Sequence, residues 1–355
     1  MTNKLSKLLA SRGVLLADGA TGTNLFGMGL QTGDAPELWN IDHPDRITKL
    51  HQSFVDAGSD IILTNSFGGT HYRLALHNAG HRVAELNQRA AQIACECAST
   101  ASKTVLVAGS MGPTGEILEP NGPVSIEQAQ AAFYEQAMAL KAGGADVLWI
   151  ETISSAEEIT AAVQAAAQVG LPVVYTVSID TNGRTMMGLT AADTIQISVS
   201  LNTPITAIGT NCGIGASEVV AAIKNLKTAN DQLPTPAALV AKANCGIPEY
   251  IDGEIVYNGT PELMAQYATM AANAGAKIIG GCCGTSPVHL KAMRAALDQW
   301  APASSPTLVE INSILGEVTQ GARAQLDGDL SVAGGSASGR GTRTSRRRKK
   351  SYVNL

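Results

Sequence analysis

The chain has 355 residues, 45% apolar and 15% charged, with a net charge of −5 at pH 7, a globular composition that excludes collagen-like and largely disordered classes. No run approaches the roughly 18 unbroken apolar residues of a membrane span, and the opening MTNKLSKLLASRG holds no long apolar stretch with a cleavage site. Six cysteines are too few for a disulfide scaffold, so a reduced, cytoplasmic protein with no membrane partner is expected.

Residues 1–13 read as a short helical segment. From residue 14 onward, short β-rich apolar runs alternate with Ala-rich helical ones. The strands are VLLADG (14–19), DIILTNSF (60–67), TVLVAGS (104–110), DVLWIET (146–152), PVVYTVSI (172–179), AIGTNC (207–212), ALVAKANCG (238–246) and KIIGGCCG (277–284). Helical stretches such as RITKLHQSFVDAG, IEQAQAAFYEQAMALKAGG and AEEITAAVQAAAQVG lie between them and often stop at Gly. Ser125 and Gln128 form a capping-box pattern, and IDGEIVY, after the seventh strand, reads as an inserted hairpin. The first strand runs into DGATGTN, not into the G-x-G-x-x-G of a dinucleotide fold.

Eight strand–helix pairs predict a (β/α)₈ TIM barrel over residues 14–300. Residues 301–355 form a C-terminal extension, Gly/Ser/Arg-rich and flexible from about 327. Arg340, Arg343, Arg346, Arg347, Arg348, Lys349 and Lys350 crowd its end. Without those seven of the 25 basic residues, 18 remain against 30 acidic ones. An acidic body with a basic arm suits a nucleic acid, an acidic surface or no dedicated partner; nucleic-acid contact is not favoured. The six histidines show no metal-ligand spacing and are expected at the surface or as caps.

Barrel enzymes place their chemistry at the C-terminal ends of the strands. Polar residues gather there: Asp18 on the first strand, Asn65 and Ser66 on the second, Glu151 on the fourth, Cys212 on the sixth, Cys245 on the seventh, and Cys282 and Cys283 on the eighth. Three thiolates suit a zinc ion with one open coordination position, which would hold a substrate thiol as thiolate. Adjacent side chains of a regular strand face opposite ways, so the glycines of GGCCGT are expected to turn Cys282 and Cys283 to the same side. A cysteine at a strand end is equally a small buried apolar residue, and spacing alone leaves both readings open. Cys95 and Cys97, at i and i+2 of a helix, point to different faces and read as structural. Asp18 and Glu151 can meet an ammonium group. Gly19, Gly22, Thr21 and Thr23 can offer amides and hydroxyls to a carboxylate.

In order, DGATGT, ILTNSFGGT, GSMGPTGE, IET, GTNC, KANCG and GGCCGT resemble the zinc-dependent homocysteine S-methyltransferases, over about residues 14–299. The resemblance implies Zn²⁺ held by Cys212, Cys282 and Cys283, homocysteine as the thiol and methionine as product. It places Asp18, Gly19, Ala20, Thr21, Asn65, Ser66 and Glu151 around homocysteine, and Asn244 beside the metal when substrate is absent. Betaine-dependent members cage a quaternary ammonium with aromatics. They carry Tyr where this chain has Gly68 and Thr152, and Trp39 is spaced differently from their cage Trp. TNSFGGT, GPTGE and IET are similar to the homocysteine module of cobalamin-dependent methionine synthase, yet no D-x-H-x-x-G corrinoid motif is present. The resemblance therefore implies methylcobalamin carried by a separate corrinoid protein, the chain acting as the stand-alone homocysteine-activating subunit of a split methionine synthase. Betaine or S-methylmethionine as donor is the alternative. A more distant one is a zinc- or thiol-binding assembly subunit without catalysis.

Overall fold

A computed structural model describes residues 3–251 and 254–332. Among them the predicted alternation forms a ring of eight parallel strands: β1 (Leu15–Leu16), β2 (Ile61–Leu63), β3 (Leu106–Met111), β4 (Val147–Ile153), β5 (Val173–Val177), β6 (Ala207–Cys212), β7 (Ala238–Ala243) and β10 (Ala276–Gly281). They pair in the order β1-β10-β7-β6-β5-β4-β3-β2, and a parallel bridge between Ala17 and Ile61 joins the two ends. The predicted hairpin is present as antiparallel β8 (Pro248–Ile251) and β9 (Glu254–Tyr257); its Asp252-Gly253 turn lies outside the described residues. β1, β2, β7 and β10 stop short of the polar residues that close their apolar runs, whereas β4 and β6 continue through theirs.

Inside the ring, the two-residue period of the strands sorts the side chains. Leu15, Ala17, Ile61, Leu63, Leu106, Ala108, Val147, Trp149, Val174, Ala207, Val240 and Ile278 fill the lower barrel. The helix Lys4–Arg12 closes its floor with Leu5 and Leu8. The alternate positions, among them Leu16, Val107, Leu148, Tyr175, Ile208, Leu239 and Ile279, pack beneath the surrounding helices. Local signals agree with this packing. Ser125 and Gln128 exchange both capping-box bonds, at 3.2 and 2.9 Å, and Gly170 ends the helix Ala156–Val169 with φ 79°.

In the extension, the helices Leu308–Leu315 and Gln320–Leu326 lie against the helix Ala216–Asn230. Ile311 and Ala322 are buried there, and Gln325 donates to the Gly183 carbonyl at 3.0 Å. The basic run 340–350 lies outside the described residues. The expectation that every histidine lies at the surface or caps a helix is wrong for His51. It sits on the inner face of the helix Pro44–Asp56 with both ring nitrogens unpartnered, and burial lowers its pKa to about 4. His289 does cap a helix, through Ser286.

Barrel closure rests on Asp60, which is fully buried just before β2. Its carboxylate accepts from the Leu16 amide at 2.9 Å, Lys103 at 2.7 Å and Arg294 at 3.2 Å, and also from Arg12. Its own amide donates to the Leu16 carbonyl at 2.6 Å. One residue thus ties β1, β2, the first helix and the last barrel helix. Removing one side of such a buried network strands the other charges, so Asp60→Ala is expected to destabilise the fold by about 3–5 kcal/mol. Asp60→Asn, which keeps an acceptor for Leu16, should cost less. Urea unfolding measures both, and a loss below about 1 kcal/mol for the Ala variant would refute the assignment.

Candidate active site

The sulfurs of Cys212, Cys282 and Cys283 lie within 4.8 Å of one another at the barrel mouth. Cys212 ends β6 in a left-handed conformation, φ 64°, uncommon for a residue with a Cβ. The vicinal pair is not in a strand at all. β10 stops at Gly281, and a turn follows in which the Thr285 amide donates to the Cys282 carbonyl at 3.0 Å. The glycine that supplies an unusual backbone angle is Gly284, φ 79°, the third residue of that turn. Gly281 serves close approach instead: a Cβ there would come within 2.2 Å of the Thr285 side chain. The cysteines converge because a turn, not a strand, carries them.

Hydrogen bonds within the trio pull in both directions. Together with burial they leave all three thiols well above the ordinary range, Cys212 at about 11 and Cys282 and Cys283 at about 12. Three soft sulfur donors at this spacing fit a thiophilic cation such as zinc. A further donor stands beside them. Asn244 is buried and donates through Nδ2 to the Gly213 carbonyl at 2.6 Å. Its Oδ1 has no hydrogen-bond partner, and its side chain reaches the Cys212 thiol.

Beneath the thiols lies a polar layer that the strand period aims inward. Asp18 is fully buried; it accepts from the Leu63 amide at 2.7 Å and from Lys242 Nζ at 2.9 Å. Glu151 accepts from the Ser110 hydroxyl. Burial raises the pKa of both carboxyls, and the Lys242 ammonium opposes the rise in each. For Lys242 burial acts downward, but Asp18 and Glu151 outweigh it and keep the ammonium charged. Below, Trp149 offers its ring 5.6 Å from Nζ.

The other predicted residues divide. Ser66 joins the network under Glu151, donating to the Ser110 carbonyl at 2.7 Å. Asn65 turns outward, its amide donating to Pro36 O at 2.7 Å and Asn40 Oδ1 at 3.1 Å. Gly19 packs on the Thr285 carbonyl, and the Ala20 amide donates to it at 3.1 Å. Thr21 opens the short helix Gly22–Phe26, and Thr23 accepts from the Gly284 amide at 3.1 Å. The loop after β1 is therefore fastened to the cysteine turn, and the Ala20 amide is already engaged. Cys245 is buried, its thiol on the Gly259 carbonyl at 3.3 Å. Cys95 and Cys97 lie far from the mouth, in the helix Val83–Ser99.

Three residues of the site escape the sequence analysis. Lys242 sits two positions after inward-facing Val240, so the alternation of ALVAKANCG was a usable signal. Asn211 holds Thr152 in its left-handed conformation, φ 65°, by accepting from its amide at 2.9 Å and donating to its hydroxyl at 2.7 Å. It also approaches Cys282 Sγ at 3.8 Å. Tyr257, from the inserted hairpin, hydrogen-bonds Cys283, and its ring rests on Gly284, where a Cβ would come within 2.4 Å. No local pattern marks it.

A family model described as homocysteine S-methyltransferase matches residues 15–297. Methionine synthase of Mycobacterium leprae is 29% identical over 309 residues, 82% of this chain; the chain spans about a quarter of that relative, 25% of its length. Two solved structures of the homocysteine methyltransferase MmuM from Escherichia coli are also similar. The metallated form shares 26% identity at a TM-score of 0.68, covering 82% of this chain and 99% of that one. The oxidised form shares 27% at 0.67, with the same coverage. The chain is a methyltransferase and belongs to the homocysteine S-methyltransferase family.

Proposed function

We propose that the chain transfers a methyl group to homocysteine to form methionine, as the homocysteine-activating part of a cobalamin-dependent methionine synthase. The observation that carries this reading is the stacking of three converging thiols over a buried layer of two carboxylates and one ammonium. One end of the site suits a soft sulfur and the other the charged end of an amino acid. Cys212, Cys282 and Cys283 would hold a zinc ion, whose positive charge would keep a substrate thiol ionised at neutral pH. Glu151 faces the amino acid end, the Asp18–Lys242 pair closes the layer beside it, and Asn244 stands at the edge of the thiol cluster.

The donor reading, methylcobalamin on a separate corrinoid protein, rests on the mouth. Trp39 is almost fully buried, its ring covered by the Arg46 guanidinium at 4.7 Å and by His43 at 5.0 Å, so it is not free to cage a cation. The Gly68 amide donates to Glu37 at 2.6 Å, and Thr152 brings no ring. The loops after β2, β3, β5 and β7 instead expose Phe67, Ile117, Met186, Met187 and Ile247. An open, apolar rim suits a large donor approaching from outside. A second reading has one specific support: the match extends over 99% of the MmuM chain, itself a homocysteine methyltransferase. In that reading betaine or S-methylmethionine reaches the same thiol with no protein partner.

Zinc-loaded protein with homocysteine is expected to form methionine with methylcobalamin and not with glycine betaine or S-methylmethionine, as read by methionine quantification. Turnover with either small donor alone would overturn the donor assignment. Cys282→Ser should lower methionine formation about 100-fold or more, together with bound zinc. The raised thiols also set a pH dependence. Groups protonated below pH 11 must lose protons to hold a metal, so zinc affinity should rise steadily from pH 6 to pH 9. Calorimetry in buffers of different ionisation enthalpy should detect release of about two to three protons per zinc at pH 7.5. Release of none would mean that the thiols are not the ligands.

A further inference from the structure

The charged layer beneath the thiols holds two carboxylates and a single cation, and its bonds are unevenly shared. Asp18 is wholly buried, with one oxygen on the Leu63 amide and the other on Lys242 Nζ at 2.9 Å. Both side chains of this pair are closed to solvent, at 1% and 3% exposure. Glu151 receives a hydrogen bond from the neutral Ser110 hydroxyl and makes no ion pair within 4 Å among the described residues. It keeps a little exposure, 8%, at the foot of the mouth. The layer thus holds one carboxyl group more than it has cations, and the one without an ionic partner is Glu151.

Resting on the reading of the substrate as homocysteine, we propose that Lys242 is a specificity-determining positioning residue: it neutralises Asp18 and leaves Glu151 as the one carboxylate that receives the substrate ammonium. Without Lys242 two buried carboxylates would face one substrate cation. One of them would remain unpaired or take up a proton, and the site would no longer select a single positive charge. With it, the excess matches a monocation, and an aminothiol is preferred over the same thiol lacking its amino group. Lys242 acts through Asp18 and through the charge count, touching neither sulfur nor ammonium.

The test compares dissociation constants of zinc-loaded full-length protein for homocysteine and for 4-mercaptobutyrate, which is homocysteine without its amino group, by calorimetry. The ratio of the two constants cancels any general loosening of the pocket. A charge-assisted buried bond corresponds to a preference of roughly 10- to 100-fold in the wild type. Glu151→Gln should bring the ratio to within about threefold of one. The double variant Asp18→Asn/Lys242→Met removes the buried pair with near-isosteric neutral groups, keeps an acceptor for Leu63 and should hold the preference to within about threefold of wild type. Zinc content and thermal melting establish that it is folded. Ser110→Ala, which loosens Glu151 alone, gives an independent handle and should lower the ratio. A double variant that loses the preference as fully as Glu151→Gln, or a Ser110→Ala variant with an unchanged ratio, would overturn the assignment and make Asp18 the ammonium partner. Absence of homocysteine binding by the wild type would instead overturn the functional reading itself, and this assignment with it.

Discussion

The mouth of this barrel is built on the shortest strand, β1, and on what holds it in the ring. Asp60 and the Ala17–Ile61 bridge fix β1 against β2. On its other side β1 carries the metal turn: the Gly281 amide donates to the Asp18 carbonyl at 3.0 Å, and the Ala20 and Gly284 amides tie the following loop to residues 284 and 285. The cysteine turn is thus clamped from two directions, by β1 and by β7, whose Ala243 carbonyl accepts from the Cys282 amide at 2.7 Å. A seam set by one buried carboxylate at the bottom of the barrel decides where the two sulfurs of the vicinal pair stand at the top. This is the division of labour expected of the fold, stability below and chemistry above.

Most of the architecture was legible because each strand is a short apolar run closed by a polar residue, and because three of those closing residues are cysteines. The family motifs then assigned them a shared ligand. What stayed hidden was of two kinds. Lys242 belongs to a pattern that was visible but unread: in a barrel, the residue two positions after an inward valine also points inward, and a lysine there is a buried charge in need of partners. Tyr257 and Asn211 belong to the other kind, since a hairpin folding back over the turn, or an amide reaching from β6 to Thr152 of β4 and toward Cys282, depends on distances that spacing along the chain does not encode. Asn65 shows the converse. Its position after β2 suggested the pocket, but the short helical segment at 36–42 offers it better hydrogen-bond partners, and it turns outward.

The site also shows why its two halves require one another. Without a cation the three thiols remain protonated far above neutral pH, a cluster of mutually hydrogen-bonded neutral groups. With one, they would become a compact negative cage close enough to Glu151 for its charge to be felt at Cys282. That proximity would be costly in a buried setting but for Lys242, which lies between Asp18, Glu151 and Cys282 in electrostatic reach of all three. The same ammonium that balances the substrate pocket therefore also moderates the thiolate cage.

The remaining asymmetry is between a preorganised acceptor and an unenclosed donor side. Asp18, Lys242, Glu151 and Asn211 beneath the thiols are each held by a bond from another strand or its end, while the Asn244 oxygen at the edge of the cluster is left without one. The rim above them is exposed and apolar: Met186 and Met187, the most flexible of apolar side chains, stand in solvent, as do Phe67 and Ile247. A site that recognises a small cationic donor must surround it, and here Trp39 lies under an arginine. The proposed donor, a larger body approaching from outside, is compatible with this arrangement of a bonded acceptor pocket under an exposed apolar collar.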